Sequence, residues 1–505
     1  MTFKAGLRLL SLLMCFCMLI CVFASCGQSA EPDKSSETQG DQTQETTESE
    51  SEKGQEAETD WYEPTGHSGK PYEGKTFGVL AFTNDTSYYW HDTDFLIAGD
   101  ITGDILTDAV FQRYNYVVEH TGVDIEIENE VSMDQNTTFV SAILDGKDQY
   151  HLVNLSTQKM FNMATRGYLV NVLNLDTLQL SAPWWDQNAK EQLTIGNKLF
   201  GLYGDLGIMA RKTLGIISFN KQELKNRAPD VDIYEVQNNK QWTIDYFAEL
   251  AERIADDLDG DQVMTDNDLF GVVYQGDAMP VAFICAGIRF VDKDENDLPY
   301  LNFNNERTID CIEMLASLLY DTDVARSSSA QAPKIENHSA TFRSEHAVFD
   351  IGEFHSVINN RVLDWDFGVV CYPMFDELQS NYMTCINPHV ASTGTVPNTI
   401  TDYDFVAYML DELAAAGKNY LNGAFYDIVL TSRAVRDEQS KATLDLVSEN
   451  VIYDLGYLSS WGISELMRGL VNSRSKDFVS KYGSEEPRIE AKIKDTVDAI
   501  KILVD

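Results

Sequence analysis

Thr76-Phe-Gly-Val-Leu-Ala-Phe82 is a short continuous apolar run between polar residues, and it reads as a buried strand. It opens a pattern. Leu106, Val110, Tyr114 and Val117 share one helical face and predict a helix over Ile101–His120, closed by Gly122. Val123-Asp-Ile-Glu-Ile-Glu128 alternates strictly between apolar and acidic residues, the period of a half-buried strand. A second helix is expected through Phe139–Leu144, and Tyr150-His-Leu-Val-Asn-Leu155 is the next strand. The order β-α-β-α-β implies an α/β domain with a largely parallel sheet.

Working outward, Lys198–Tyr203, Leu214–Phe219 and Phe367–Tyr372 are strand-like, and Ile244–Leu258 and Ile309–Tyr320 are amphipathic helices. From Asp402 onward the pattern is mainly helical: Phe405–Ala416, Ser440–Tyr453 and Arg488–Val504. No internal repeat of solenoid length is visible. A chain of 505 residues is long enough for a large core and two domains.

Before the body comes an export address. Lys4 and Arg8 precede the apolar run Leu9–Phe23, interrupted only by Ser11. That run is short against the roughly 20 apolar residues of a membrane span. Ala24-Ser25-Cys26-Gly27 follows, small residues ahead of a cysteine. Residues 27–60 carry eleven acids, two lysines and almost no apolar side chains. Such a segment cannot bury enough surface to offset the entropy of ordering, and it reads as a disordered tether.

The net charge of −42 argues against nucleic acid, which needs cationic contacts to phosphate, and against adsorption of the folded body to anionic lipid. Cys15, Cys17 and Cys21 lie in the export segment. Cys285, Cys311, Cys371 and Cys385 are widely spaced in apolar contexts and lack metal-site spacing. Disulfides and buried free thiols both fit them.

Several stretches, taken in order, resemble the extracellular solute-binding proteins of bacterial ABC importers, in particular the carbohydrate-binding group (family 1). They are Asp148-Gln-Tyr-His-Leu-Val153, Gly167-Tyr-Leu-Val-Asn-Val172, Pro183-Trp-Trp-Asp186 with Ile195-Gly-Asn-Lys-Leu-Phe200, Phe219-Asn-Lys221, Phe342-Arg-Ser-Glu-His-Ala-Val-Phe349 and Gly368-Val-Val-Cys-Tyr-Pro373. Glu345 and Val348 depart from the glycine and alanine usual in the fifth stretch. Residues 24–27 resemble a lipobox, with Phe23 where leucine is usual.

The resemblance implies a two-lobed periplasmic-binding-protein-like α/β fold. Each lobe is a mainly parallel sheet flanked by helices, and a hinge joins them. It places a lipoprotein signal peptide at 1–25, the lipidated Cys26 and tether at 26–71, the first lobe at 72–205 and the second at 206–368. The chain then returns to the first lobe at 369–401, and C-terminal helices at 402–505 pack mainly on the second. Lys198–Asp205 and Phe367–Pro373 are the implied crossing strands. The implied partners are a carbohydrate, ABC permease subunits and the membrane through the N-terminal lipid only. A monomer on the outer face of the cell membrane is expected, with no nucleic acid bound and no cofactor required.

A sugar site needs flat apolar faces and planar polar groups. The loop Tyr88-Tyr89-Trp90-His91-Asp92 follows the first strand, where open α/β sheets bind ligands, and Tyr89 and Trp90 are its candidates. Trp184 is a candidate beside Trp185, although this pair also suits packing near the hinge. Tyr203 and Asp205 lie on an implied crossing strand. Tyr274 and Asp277 follow a strand-like stretch, Glu353 and Phe354 follow Val348–Ile351, and Trp461 sits in a Ser-Ser-Trp-Gly loop.

Asp257, Asp259, Asp261, Val263 (through its carbonyl), Thr265 and Asp268 match the spacing of a calcium loop, with Gln262 where glycine is wanted. Structural calcium and a solvated acidic turn both fit. No nucleophile elbow and no zinc-protease helix is present in the sequence. Solute capture without chemistry is the expectation. An exported glycan-acting enzyme and a surface sensor or adhesion lipoprotein are the alternatives.

Overall fold

The computed structural model describes residues 61–82, 93–130, 137–329, 337–431 and 438–503. The run Leu9–Phe23, Cys26, the segment up to Asp60, and Tyr89 and Trp90 lie outside them. No described helix is long and apolar enough to cross a membrane.

In chain order the described strands are β1 Thr76–Phe82, β2 Asp124–Glu130, β3 Leu152–Ser156, β4 Gly215–Asn220, β5 Phe270–Tyr274, β6 Val291–Lys293 and β7 Pro299–Leu301. Then come β8 Ala325–Ser327, β9 Ala347–Glu353, β10 Phe367–Val370, β11 Thr384–Cys385, β12 Ser392–Thr395 and β13 Val451–Ile452. The first sheet runs β12-β3-β1-β2 and the second β10-β4-β9-β5-β8, with β6-β7 and β11-β13 as small pairs. In the first sheet β1 pairs in parallel with β2 and β3, and only β12 is antiparallel. In the second, β5 is parallel to β8 and β9, whereas β4 is antiparallel to β9 and β10. This is the two-lobed α/β architecture.

Local chemistry accounts for the elements. Phe77, Val79 and Leu80 of β1 are fully buried, each contributing about 1.5–3 kcal/mol. The first helix runs Ile105–Thr121, and Asp104 caps it by accepting the Thr107 N–H. Gly122 ends it at φ +68°, as its position in the sequence predicts. Helix Ile244–Ile254 stops four residues short of the expected Leu258, because the acidic loop begins there.

Three boundaries differ from the sequence reading. First, the body begins before Tyr72. Trp61 packs edge-on against Tyr116 and Tyr420, at ring distances of 5.4 and 5.6 Å. Tyr62 exchanges two backbone hydrogen bonds with the Asn419 side chain, and Thr65 does the same with Gln179. Second, Lys198–Asp205 forms isolated bridges, among them Leu202 to Gly394 and Trp185 to Gly204, in place of a regular strand. Phe367–Val370 stays in the second sheet, and the return to the first is β12. Third, helix Tyr403–Gly417 packs on the first lobe, where the sequence reading puts residues 402–505 mainly on the second. Phe405 meets Tyr72 and Phe77 at 5.1 and 5.9 Å. The helix is buried almost all round, so it lies between other elements and has no solvent face.

Candidate functional site

A cavity of about 390 Å³ opens between the stretch Pro183–Asp205, the segment Ala210–Leu214 and the helices after Gly417. The turn after Pro183 sets its first wall. Asp186 caps helix Gln187–Gln192 by accepting the Ala189 N–H at 2.9 Å. Asp205 N–H donates to the Trp184 carbonyl at 2.8 Å, and Asp186 N–H to the Tyr203 carbonyl at 2.9 Å. Gly204, at φ +142°, permits this approach, since a Cβ there would sit 2.1 Å from the Trp184 carbonyl oxygen.

Trp184 and Trp185 line the cavity, and both indole N–H groups donate to Oδ1 of the buried Asp411 at 3.0 Å. Tyr203 and Tyr453 stand 5.2 Å apart, ring to ring. The Tyr203 hydroxyl bonds Thr157 Oγ1 at 2.7 Å, and Tyr453 donates to Asp186 Oδ2 at 2.7 Å. Burial pushes both phenols up, so they stay neutral and serve as amphiphilic ring faces.

A charged knot crosses the cavity. Arg211 Nη2 lies 2.5 Å from Asp205 Oδ1, and Lys418 Nζ lies 3.4 Å from Asp205 Oδ2. Arg211 also donates to Asn422 Oδ1 at 2.5 Å. Burial alone would lower the Arg211 pKa, but the Asp205 carboxylate outweighs it and the pKa is raised. Lys418 and Asn422 come from a π-helical turn, Lys418–Asn422, that interrupts the long helix after Gly417. Such wide turns recur at functional sites. Asn419 and Tyr420, on the same turn, hold Tyr62 and Trp61. Asp445 and Glu449, one turn apart on helix Glu438–Glu449, also line the cavity.

A second, narrow crevice lies at the C-terminal ends of β5 and β9, lined by Thr213, Gln275, Asp277, Glu353, Tyr372 and Asn387. The predicted residues therefore divide. Trp184, Tyr203 and Asp205 meet in the large cavity, and Asp277 and Glu353 in the crevice.

Three candidates are corrected to the core. Tyr274 is buried, and its hydroxyl donates to the Leu319 carbonyl at 2.6 Å. Phe354 is buried against Phe425 at 5.9 Å. Trp461 is buried, and its indole N–H donates to Thr496 Oγ1 at 2.9 Å, so it packs on the last helix. None of the three lines either space. Arg211, Lys418, Asn422, Tyr426, Tyr453 and Asn387 were missed. Nothing local marks them, because their role depends on segments far apart in the chain.

In the acidic loop the carboxylates of Asp257, Asp259 and Asp261 converge within 4.8 Å. Gln262 takes the left-handed turn at φ +68° despite not being glycine. Asp268 is buried and accepts the Leu258 N–H, the Thr265 N–H and the Thr265 hydroxyl, at 2.9, 2.6 and 3.0 Å. The hydrogen bond from the Thr265 N–H leads in holding its pKa below the usual range. Asp268 closes the loop itself, Thr265 is occupied with it, and the Val263 side chain is exposed. The four cysteines resolve as buried free thiols.

Solved structures of ABC solute-binding proteins superpose on most of the chain. A substrate-binding protein from Listeria monocytogenes in complex with cycloalternan is 11% identical, with a TM-score of 0.53, covering 83% of this chain and 99% of its own. One from Thermotoga lettingae bound with alpha-D-tagatose is 13% identical, with a TM-score of 0.51, over 84% of this chain and 100% of its own. UgpB from Mycobacterium tuberculosis in complex with glycerophosphocholine is 12% identical, with a TM-score of 0.55, over 77% and 95%. No family model and no curated protein matches the chain. At these identities the likeness is one of fold: the chain has the two-lobed fold of ABC solute-binding proteins.

Proposed function

We propose that this protein captures a carbohydrate between its lobes, outside the cytoplasm, and delivers it to an ABC permease. The observation that carries the reading is the large cavity, where ring faces of Trp184, Trp185, Tyr203 and Tyr453 combine with carboxylate, guanidinium and amide groups. Its volume falls within the roughly 300–1,000 Å³ of small-molecule sites. The ligands named for two similar folds, cycloalternan and alpha-D-tagatose, support a saccharide. Hinge closure over the solute is the mechanism, a population shift toward the closed form. The lobes in this reading are residues 72–205 and 206–368, with the return at 369–401. The protein acts as a monomer and performs no chemistry on its ligand.

The test is a glycan-array and thermal-shift screen on the full-length protein. The expected result is a saccharide that raises the melting temperature and is recovered intact. Turnover of the bound glycan sinks the reading in favour of an enzyme.

The anchor is lipid on Cys26. Cys26→Ala is expected to release the protein into the medium, read by immunoblot of cell and medium fractions. Retention in the membrane makes the apolar run itself the anchor. No cofactor enters the function. Calcium is a structural addition held by Asp257, Asp259 and Asp261, weak because Asp268 is committed to the loop.

A further inference from the structure

Glu353 ends β9 and is 8% exposed. Its Oε1 accepts the Asn387 Nδ2–H at 2.9 Å. Its Oε2 is buried and has no hydrogen-bond partner among the described residues. The side chain lines the crevice, whose volume of about 10 Å³ is that of one hydroxyl-sized group. The Tyr457 hydroxyl, electrostatically within reach of Glu353, is also buried without a partner among the described residues. Buried polar atoms left unmatched cost free energy, and an occupant of the crevice removes that cost.

We propose that Glu353 is held as a neutral carboxylic acid whose Oε2–H donates a hydrogen bond to an acceptor oxygen of the captured saccharide, so that capture weakens in alkali. The inference rests on the carbohydrate reading above and adds a proton to it. The geometry assigns the two oxygens. An amide N–H donating to Oε1 favours that atom as the carbonyl oxygen and puts the proton on Oε2, the atom without a partner among the described residues. A neutral acid there matches a neutral sugar, and no charge has to be desolvated on closure.

The groups around Glu353 set the pH window. Burial pushes Glu353 up to about 8, and Asp277 adds to this while the Asn387 hydrogen bond opposes it. Asp277, after β5, lies 3.3 Å from Arg468 of helix Ile463–Asn472. Tyr372 after β10, Cys385 of β11 and Tyr457 of helix Leu455–Leu458 are all pushed well up by burial and keep their protons. His389 is pushed down by burial, and His355 is pushed down to about 4. Above pH 7 the group that changes charge at the crevice is Glu353.

The experiment measures affinity for maltotetraose and D-tagatose by calorimetry from pH 6 to 9.5, on the full-length protein and on Glu353→Gln and Glu353→Ala. Wild-type affinity is expected to be level to about pH 7.5 and then to fall, approaching tenfold per pH unit. Glu353→Gln, which keeps an acceptor for Asn387 and a donor toward the crevice, is expected to give a flat profile and to bind more tightly than wild type at pH 9.5. Glu353→Ala is expected to bind more weakly than wild type at pH 7. Affinity that rises with pH, or a Glu353→Gln protein that loses binding at every pH, overturns the proposal, because the carboxylate is then the acceptor. A flat wild-type profile overturns it too, leaving a structural water as the crevice occupant.

Ligand-free melts separate this failure from that of the carbohydrate reading. The folded-state pKa is raised, so wild-type stability falls as pH rises from the unfolded value toward about 8 and is level above it. The melting temperature of Glu353→Gln relative to wild type is therefore expected to rise between pH 5 and 8. A constant difference sinks the proton assignment with no ligand involved. If no saccharide binds at any pH, the carbohydrate reading falls and the donor role falls with it.

Discussion

Asp411→Ala is expected to lower stability by about 3–5 kcal/mol, because it strands several buried donors at once. Asp411 is fully buried in helix Tyr403–Gly417. It accepts the indole N–H groups of Trp184 and Trp185 at 3.0 Å each, and the Gln179 N–H at 2.9 Å. Gln179 is in turn paired with Thr65, so the N-terminal strap depends on the same carboxylate. Removing the acceptor costs about 1–3 kcal/mol for each donor left unsatisfied, and partial relaxation keeps the total below the sum. Asp411→Asn keeps one acceptor oxygen in place and is expected to cost less. Urea unfolding followed at the tryptophans measures both. An alanine variant within about 1 kcal/mol of wild type would mean that water replaces the carboxylate and that the wall of the cavity is not held from behind.

The second large effect is expected at Gly417, where two opposing terms can be compared. Alanine is favoured over glycine in a helix by about 1 kcal/mol. A Cβ at Gly417, however, would sit 1.8 Å from the Asp205 carbonyl oxygen and 2.9 Å from its carbon. Both are backbone atoms, so no flexible side chain can yield, and the helix has to move. Overpacking of this kind costs typically about 1–3 kcal/mol, and a contact this short belongs at the upper end. The steric term wins, and Gly417→Ala is expected to destabilise by about 2 kcal/mol net. It also draws Lys418, the next residue, away from Asp205, so saccharide affinity is expected to drop at least tenfold. Gly469 is the control. It lies inside helix Ile463–Asn472 with nothing within 4 Å of its would-be Cβ, and Gly469→Ala is expected to stabilise by about 0.5–1 kcal/mol. Equal effects at the two sites in thermal melts would remove the helix contact from the account of the cavity.

The first sheet was readable because its strands announce themselves locally. Phe77–Phe82 is wholly apolar and became the body of β1, and the acidic alternation after Val123 became β2 paired beside it in register. The aromatic candidates were less readable. Tyr274, Phe354 and Trp461 stand in polar or strand-end contexts that suggest a cleft, yet each is buried against a partner from a distant element: Leu319, Phe425 and Thr496. A polar neighbour in sequence says nothing about which way a ring points. The calcium spacing has a similar history. The spacing of acids is present, but Asp268 satisfies backbone N–H groups of its own loop.

By itself the sequence determined the α/β class of the body, and it raised the expectations of an export address, an acidic tether and no nucleic-acid partner. These follow from periodicity, composition and net charge, which need no knowledge of contacts. Only the tertiary structure decided the site. It brought Asp205, Arg211 and Lys418 together across more than two hundred residues, and it left one oxygen of Glu353 without a partner among the described residues. The reason is physical. A strand or helix is written in its own few residues, whereas a binding cavity is what remains between elements once each has buried its own apolar face.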